Sequence, residues 1–354
     1  MATINITING KSLAGQAGQT ILEVAQAAGI RIPTLCHHPA LKAFGACRVC
    51  LVEVKGQRTL QPACTFPITE GMQVQTHSPK VEETRRFVLE LLLSDHPLDC
   101  MTCERTGDCE LQDLAYQYGL KETRFPGIQH NYPIDTSNPF YERDYNKCIL
   151  CRRCIRACDE INGVEAIGLN QRGFESKVGT AFDGPMQDSP CEFCGMCVEL
   201  CPTGSLVPIQ RKGKGRPWEF TRVATTCSYC GVGCQFYLET KDGRIVQATS
   251  KWDAPSNHGW MCVKGRFGWD YVHHPDRLIK PLIRRTKGGP LEEADWEEAL
   301  NLIASRLKEV KAKHGPDAFG ALTSAKCTNE ENYVLQKFTR AVMGTNTIDH
   351  CARL

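Results

Sequence analysis

Cys148-Ile149-Leu150-Cys151-Arg152-Arg153-Cys154-Ile155-Arg156-Ala157-Cys158 and Cys191-Glu192-Phe193-Cys194-Gly195-Met196-Cys197-Val198-Glu199-Leu200-Cys201-Pro202 carry one spacing, C-x2-C-x2-C-x3-C, twice. A tight triplet of cysteines on one loop lets three thiolates face three corners of an iron–sulfur cubane, and in paired runs of this kind the fourth ligand of each cluster comes from the other run. The pattern predicts two [4Fe-4S] sets: Cys148, Cys151, Cys154 with Cys201, and Cys191, Cys194, Cys197 with Cys158. The second run keeps the Cys-Pro ending, whereas the first has Asp159 where the pattern puts proline. The spacing is untouched by that difference.

Such a double run resembles a bacterial two-cluster ferredoxin written into a longer chain. Its context is set by the other cysteines, for the chain has 21 of them in 354 residues. That load could staple a secreted protein with disulfides, but three observations oppose it. Met1 to Gly10 alternates polar and apolar residues with no basic stretch and no apolar run, so no signal peptide is read there. No apolar run approaches the length of a membrane span. The cysteines fall into metal-ligand spacings and their number is odd. A reducing, cytoplasmic compartment is expected. The formal charge of +2 gives no reason to expect a nucleic-acid partner. The small basic run Arg211, Lys212, Lys214 and Arg216, interleaved with glycines and closed by Pro217, reads as a solvated interdomain linker. A hydrophobic content of 42% over this length is that of a globular protein with two or more domains.

At the N-terminus Ile4, Ile6 and Ile8 alternate and Asn9-Gly10 suits a type I′ turn, which predicts a β-hairpin running on to Leu13. Thr20 and Glu23 then form a capping box for a helix over Ile21 to Ala28, with Gly29 available as its left-handed terminus. Cys36, Cys47, Cys50 and Cys64 follow in the spacing C-x10-C-x2-C-x13-C, with a strand expected from Val49 to Val54. Hairpin, helix and cysteine loop together suggest a [2Fe-2S] β-grasp domain. The spacing differs from plant ferredoxin, whose first gap is four residues. It is similar to the [2Fe-2S] domain shared by iron-iron hydrogenases, the large iron–sulfur subunit of respiratory NADH:quinone oxidoreductase and certain NAD(P)-linked formate dehydrogenases. Zinc is the alternative occupant, though a zinc site normally presents two C-x2-C pairs or mixed Cys/His pairs.

A helix from about Lys80 to Leu93, opened by Ser78-Pro79 and carrying Val81, Val88, Leu91 and Leu92 on one face, is expected next. It delivers the chain to His96, Cys100, Cys103 and Cys109, spaced H-x3-C-x2-C-x5-C. These gaps resemble the [4Fe-4S] site of the same three families, held by one histidine and three cysteines. A neutral imidazole in place of a thiolate removes one negative charge from the ligands and should raise that cluster's potential. The fifth set is Cys227, Cys230, Cys234 and Cys262, spaced C-x2-C-x3-C-x27-C. It resembles the N-terminal [4Fe-4S] domain of the molybdenum and tungsten bis-pterin oxidoreductases, and Cys262-Val263-Lys264-Gly265-Arg266-Phe267 matches that family's continuation. The resemblance makes Lys264 a candidate electron conduit between cluster and pterin.

Beyond Asp276 the texture becomes α/β. Asp295 and Glu298 form a capping box for a helix bearing Trp296, Leu300, Ile303, Leu307 and Val310 and ended by Gly315-Pro316. A strand, Ala318 to Thr323, leads to a helix opened by Asn329 and closed near Gly344. Thr328 to Tyr333 and Gly344 to Leu354 resemble the segment of formate dehydrogenases that leads to their metal ligand, a cysteine or selenocysteine followed by histidine. The expectation is a selenocysteine at the position after Leu354, and so a pterin domain begun and not completed in these residues. Cys327 and Cys351 are read as buried thiols and not as metal ligands.

The five motifs in this order resemble, over essentially the whole chain, the N-terminal part of the catalytic subunit of cytoplasmic NAD(P)-linked or hydrogenase-linked formate dehydrogenases. The fold class that follows is a multidomain α+β iron–sulfur protein. Its parts are a [2Fe-2S] β-grasp domain over 1–78, a histidine-ligated [4Fe-4S] domain over 79–139, a two-cluster ferredoxin domain over 140–209, a bis-pterin-type [4Fe-4S] domain over 220–276, and the beginning of an α/β pterin domain over 277–354. The resemblance implies an oxidoreductase that interconverts formate and carbon dioxide at molybdenum or tungsten held by bis-molybdopterin guanine dinucleotide. No catalytic residue falls in this chain. Electrons would leave by Lys264 and the Cys227 cluster, then pass through the ferredoxin-like pair to the His96 cluster and the [2Fe-2S] site. The implied partner is a flavin-bearing, NAD(P)-binding iron–sulfur subunit, or else a hydrogenase subunit. The alternative is a stand-alone electron-transfer subunit of an NADH dehydrogenase or hydrogenase-type complex, for which an exposed apolar face on the last α/β segment would be a counter-indication. An iron-iron hydrogenase accounts for the first four clusters and fails at the fifth.

Overall fold

Asn9 and Gly10 take the left-handed positions of a tight turn, with φ of 51° and 82°. The chain therefore opens in a hairpin of β1 (Thr3–Ile8) and β2 (Lys11–Gln16), with Ile8 opposite Lys11. Thr20 and Glu23 close a reciprocal capping box on α1 (Ile21–Ala27). With β3 (Leu51–Val54), β4 (Gln61–Pro62) and β5 (Gln73–Gln75) these strands form a five-stranded sheet in the order β2-β1-β5-β3-β4. β1 and β5 run parallel. The sheet closes with α1 over a core of Ile6, Ile8, Leu22, Val52 and Val74 that also takes in Cys50 and Cys64. β3 starts later than the sequence suggests because Val49 and Cys50 are held in the turn that aims the cysteines inward. The computed structural model describes residues 2–352 and divides into two units at Thr221/Arg222.

Ser78 caps α2 (Pro79–Ser94), accepting from the Val81 amide. Its buried face is Val81, Arg85, Leu89, Glu90 and Leu93, so the expected face is rotated and Leu91 stands exposed. The rotation follows from two polar side chains with buried work. Arg85 donates to the Leu51 carbonyl at 2.8 Å, and Glu90 accepts both Nε and Nη2 of Arg124 at 2.8 and 2.7 Å. Leu89 and Leu93 pack with Leu111 and Leu114 of α3 (Glu110–Gln117) and with Leu35 and Val49 of the first domain.

From 138 to 209 regular structure is sparse. β6 (Tyr141–Arg143), α4 (Arg153–Arg156), β7 (Gly168–Asn170), β8 (Lys177–Gly179), α5 (Met196–Glu199) and β9 (Leu206–Pro208) are each three or four residues long. β6 pairs with β9 and β7 with β8. Ile167, Val178 and Met186 form a small core there, around which several of the cysteines pack. The basic run beyond it is no solvated linker. Arg211 is fully buried, Lys212 pairs with Glu142 at 2.6 Å, the Gly213 amide donates to Glu104, and Arg216 donates to the carbonyls of Cys103 and Met101. Glycines let this backbone lie flat on the domain before it, which composition alone could not show.

In the second unit β10 (Thr221–Thr226), β11 (Gln235–Lys241) and β12 (Arg244–Ser250) form a sheet in that order, followed by α6 (Val263–Phe267). β13 (Leu282–Ile283) and β14 (Glu292–Glu293) pair ahead of α7 (Trp296–His314). Asp295 caps α7, but the return arm of the expected box is missing because the Glu298 carboxylate turns to Arg285. β15 (Ala321–Thr323) and β16 (Ile348–His350) pair in parallel around α8 (Asn329–Lys337), whose cap is Thr328, one residue before the expected start. Of α7 only Ala299 is buried, and Trp296, Leu300, Ile303 and Val310 are exposed, as is Leu322 on β15. Cys351 is exposed and Cys327 half-buried, which corrects their reading as buried thiols. Arg353 and Leu354, the end of the stretch read as an approach to a metal ligand, lie outside the described residues. Among the described residues no helix is long and apolar enough to cross a membrane.

Candidate iron–sulfur centres

Cys36 lies in the loop that follows α1, and Cys47, Cys50 and Cys64 come from the loop and turns around β3 and β4. Cys36, Cys50 and Cys64 are each 1% exposed. The Cys47 amide donates to Cys36 Sγ at 3.4 Å, and the sulfurs of Cys50 and Cys64 stand 3.4 Å apart. Hydrogen bonding from Cys47 draws the Cys36 thiol down to about 5, and the same contact pushes Cys47 up. Cys64 is likewise lowered by its bond from Cys50, which is raised. The two thiol pairs form a compact four-sulfur donor set.

His96 ends the turn after α2 and is 7% exposed. It lines one cavity with Cys100 and Cys109, bounded by Leu93, Leu98 and Leu111. Burial holds the imidazole below its usual range, in the neutral form a metal requires. Cys109 is the residue before α3 and burial pushes its thiol up to about 11. Cys103 does not line that cavity; its sulfur rests against Gly204, where a β-carbon would stand 2.7 Å from Sγ.

The eight cysteines of the double run divide between two cavities. Cys148, Cys151, Cys154 and Cys201 line one, together with Arg143, Tyr145 and Ser205. Cys158, Cys191, Cys194 and Cys197 line the other, together with Tyr141 and Asn162. The structure thus brings the fourth cysteine of each run to the triplet of the other. Donors already point at the second set: the Ala166 amide at Cys158 Sγ, the Phe193 amide at Cys191 Sγ and Asn162 Nδ2 at Cys194 Sγ, at 3.2, 3.4 and 3.1 Å. Among the described residues no three His, Cys, Asp or Glu side chains close on a point that one ion could fill. Thiols ringing a space suit a multi-atom cluster, and in three of the first four sets the donors include buried cysteines.

These sites are tied to each other within the first unit. Arg153, between Cys151 and Cys154, forms a fork with Glu110 at 2.5 and 2.8 Å and donates to the His37 carbonyl at 2.7 Å. Arg156 donates to the carbonyls of Cys36 and Lys42. Arg105 reaches the Cys201 carbonyl and the Glu110 amide donates to Pro202. The Cys148 set therefore stands in bonded contact with the Cys36 loop on one side and the Cys103/Cys109 loop on the other. None of these arginines is signalled by the cysteine spacing. Their only sequence signature is a position beside a ligand.

In the second unit Cys227 is buried beside Phe236, Met261 and Trp269, and its amide donates to the Cys234 carbonyl at 2.8 Å. Burial first, and to a lesser degree the neighbouring Cys262 and Cys230, push the Cys227 thiol up, against a backbone hydrogen bond from Tyr229 that lowers it. Cys262 immediately precedes α6 and is exposed, and Lys264 lies in the first turn. Gly265 lies 3.7 Å from Cys227 Sγ, measured from a β-carbon built on it.

Comparison with known proteins follows the same order along the chain. Residues 1–79 match the 2Fe-2S iron-sulfur cluster binding domain, 85–124 the NADH-ubiquinone oxidoreductase-G iron-sulfur binding region, and 138–207 the ferredoxin-like domain of NADH-quinone oxidoreductase subunit 3. Residues 220–274 match the molybdopterin oxidoreductase Fe4S4 domain and 277–354 the molybdopterin oxidoreductase domain. Among curated relatives, the NADPH-Fe(3+) oxidoreductase subunit alpha of Geobacter sulfurreducens is 39% identical over 99% of this chain and 40% of its own length. The second G-type polypeptide of the NADH-quinone oxidoreductase of Rhizobium meliloti is 40% identical over the same shares. A putative formate dehydrogenase of Staphylococcus aureus is 32% identical over 98% of this chain and 39% of its own length. The chain thus spans about two fifths of the length of the curated relatives it matches. A crystal structure of NAD+-reducing [NiFe]-hydrogenase in the H2-reduced state superposes with a TM-score of 0.56 at 36% identity, covering 60% of this chain and 89% of that one. The fold is accordingly a mixed α/β assembly of one [2Fe-2S] domain, several [4Fe-4S] domains and the start of a molybdopterin domain. Domain by domain, the chain is thus similar to the iron–sulfur domains of G-type NADH-quinone oxidoreductase polypeptides and, from residue 220 onward, to the Fe4S4 domain and the beginning of the molybdopterin domain of molybdopterin oxidoreductases.

Proposed function

We propose that this chain is the electron-transferring portion of the catalytic subunit of a formate dehydrogenase, in which formate gives carbon dioxide, a proton and two electrons. The observation that supports an electron path most directly is the bonded contact of the Cys148 set with both the Cys36 loop and the Cys103 loop. We assign a [2Fe-2S] cluster to Cys36, Cys47, Cys50 and Cys64, and [4Fe-4S] clusters to four further sets. These are His96 with Cys100, Cys103 and Cys109; Cys148, Cys151 and Cys154 with Cys201; Cys191, Cys194 and Cys197 with Cys158; and Cys227, Cys230, Cys234 and Cys262. When bound, such clusters supply one-electron carriers, and the protein supplies burial, orientation and hydrogen bonds that tune them. Lys264 is the candidate link to a bis-molybdopterin guanine dinucleotide bearing molybdenum or tungsten. The domain limits read from the sequence, 1–78, 79–139, 140–209, 220–276 and 277–354, remain our division of the chain.

Formate as substrate rests on the resemblance of Thr328–Tyr333 and the residues from Gly344 onward to the approach to the metal ligand, and on the putative formate dehydrogenases among the relatives. The partner is a flavin-bearing, NAD(P)-binding iron–sulfur subunit or a hydrogenase subunit, and the setting is cytoplasmic. A second reading, an electron-transfer subunit of an NADH dehydrogenase or hydrogenase-type complex, is favoured by the higher identity to the Rhizobium meliloti polypeptide and by the hydrogenase structure. Purification of the native complex and assay of formate-dependent viologen reduction, with molybdenum and tungsten analysis, separates the two. Turnover with metal present supports formate oxidation. NADH-dependent reduction without formate turnover or metal supports the second.

A further inference from the structure

β6 is three residues long, and in a strand the first and third share a face. Those residues are Tyr141 and Arg143, 2% and 3% exposed. Arg143 lines the cavity of Cys148, Cys151, Cys154 and Cys201, while Tyr141 lines that of Cys158, Cys191, Cys194 and Cys197. One short strand, paired along one edge with β9, therefore presents one side chain to each of the two cysteine sets.

Arg143 is unusual in what it lacks. Nη1 donates to the Val178 carbonyl at 3.0 Å and the guanidinium stands 5.7 Å from the Tyr145 ring, but Nε and Nη2 are buried with no hydrogen-bond partner. No carboxylate pairs with it among the described residues. A guanidinium this deep without an anion costs several kcal/mol in general, so buried arginines are paired. The groups that share its cavity and ionise as ligands are the thiols of Cys148, Cys151, Cys154 and Cys201. Tyr141 offers a neutral counterpart: its hydroxyl lies 3.5 Å from Cys197 Sγ.

We propose that Arg143 is a positioning residue that sets the reduction potential of the cluster held by Cys148, Cys151, Cys154 and Cys201, with its unpartnered Nε and Nη2 directed at that cluster. Reduction adds one negative charge to a thiolate-ligated cluster. A fixed cation beside it in a low-dielectric interior favours the reduced form and raises the potential. Because guanidinium does not titrate in the accessible range, the effect is independent of pH. Tyr141 acts in the same direction on the other cluster through one neutral donor, and therefore less. The inference rests on the ligand sets proposed above.

The test uses the full chain in its complex, purified anaerobically, with iron and sulfide analysis and an EPR-monitored redox titration. Cys201→Ser and Cys197→Ser first identify the two signals. If both abolish the same signal, the ligand sets fail, whatever Arg143 does. With the signals identified, Arg143→Met is expected to lower the midpoint of the signal that Cys201→Ser removes, so that the ratio of reduced to oxidised cluster at a fixed potential falls at least about tenfold, or roughly 59 mV for a one-electron couple. Arg143→Lys, which keeps the charge, should restore most of the shift, and Tyr141→Phe should move the other signal by less. Full iron content with unmoved midpoints in Arg143→Met overturns the proposal. So does an equal shift, or an equal loss of iron, in Arg143→Met and Arg143→Lys, because then packing and not charge is what the residue supplies.

Discussion

The α-carbon of Gly204 lies so near the Cys103 sulfur that a β-carbon built on it would stand 2.7 Å from Sγ. Gly204 follows Cys201 by one turn of chain, so the backbone that carries a sulfur of one set is pressed directly on a sulfur of another. Gly204→Ala is expected to displace Cys103 and to destabilise the first unit by about 1–3 kcal/mol, the usual cost of overpacking. Thermal unfolding together with EPR of the His96 cluster checks it. Wild-type melting with an unaltered signal would mean that the two loops yield freely and that the contact is incidental.

Arg153 ties the Cys36 loop to the Cys109 helix through a single guanidinium, 3% exposed, which donates to Glu110, to the His37 carbonyl and, at 3.5 Å, to the Leu200 carbonyl. Arg153→Met leaves these acceptors without that donor in a largely buried place. A loss of about 2–3 kcal/mol is expected, below the range for a fully buried pair because the Glu110 carboxylate is half in water. Glu110→Gln keeps an acceptor and should cost about 1 kcal/mol. Denaturant titration of the two single variants and the double gives the coupling, and additivity would show that the fork holds nothing together.

Local features are legible in the sequence, and long-range ones are not. Asn9-Gly10 and the Thr20/Glu23 box concern residues close together in the chain, and the structure shows both; the exchange of fourth cysteines in the double run is long-range and legible only because the repeated spacing implies it, and the two cavities hold those cysteines together. Apolarity alone misplaces the face of α2, because the helix is oriented by Arg85 and Glu90, whose partners lie more than thirty residues away. The basic run is misread in the same way. Its arginines find carbonyls and carboxylates in the region of Met101–Asp108, a pairing that only the folded chain brings about. Composition reports charge, not the destination of the side chain.

Arg216 is the member of that run with the most direct consequence. It donates to the carbonyls of Cys103 and Met101, in the turn that carries a candidate ligand. Arg216→Ala removes both bonds from a partly exposed site and should cost about 1 kcal/mol. The more specific outcome is functional. The signal of the His96 cluster should broaden and its midpoint move, while the Cys36 cluster stays as it was. Cleavage within 211–219 by a protease should accelerate, and an unchanged cleavage rate would return the segment to the status of a linker.

Sparse structure from 138 to 209 leads to a prediction about metal removal. Ile167, Val178 and Met186 are too small a core to hold this segment, and thiols occupy the space where apolar side chains would pack. Binding free energy of a cluster is then folding free energy for the segment. Anaerobic removal of iron with a chelator and mild oxidant is expected to open 138–209 to proteolysis first. The β-grasp domain, whose core includes Ile6, Ile8, Leu22, Val52 and Val74 as well as two cysteines, should survive longer. Mass spectrometry of the fragments settles the order, and simultaneous loss of both would show that the two domains share one cooperative fold.

α7 exposes Trp296, Leu300, Ile303 and Val310 along one side, at the spacing of a helix face built to be covered. A contiguous apolar stripe of this kind promotes association and binds hydrophobic dyes. The 354-residue polypeptide is therefore expected to self-associate and to enhance ANS fluorescence. Leu300→Glu with Ile303→Glu should abolish both while changing the melting of the iron–sulfur domains by no more than about 0.5 kcal/mol, since neither side chain is in a packed core in these residues. Static light scattering and ANS titration on the two proteins decide it. If the double variant melts early or loses iron, the face is already engaged with the clusters' own domains, and the stripe is core and not surface.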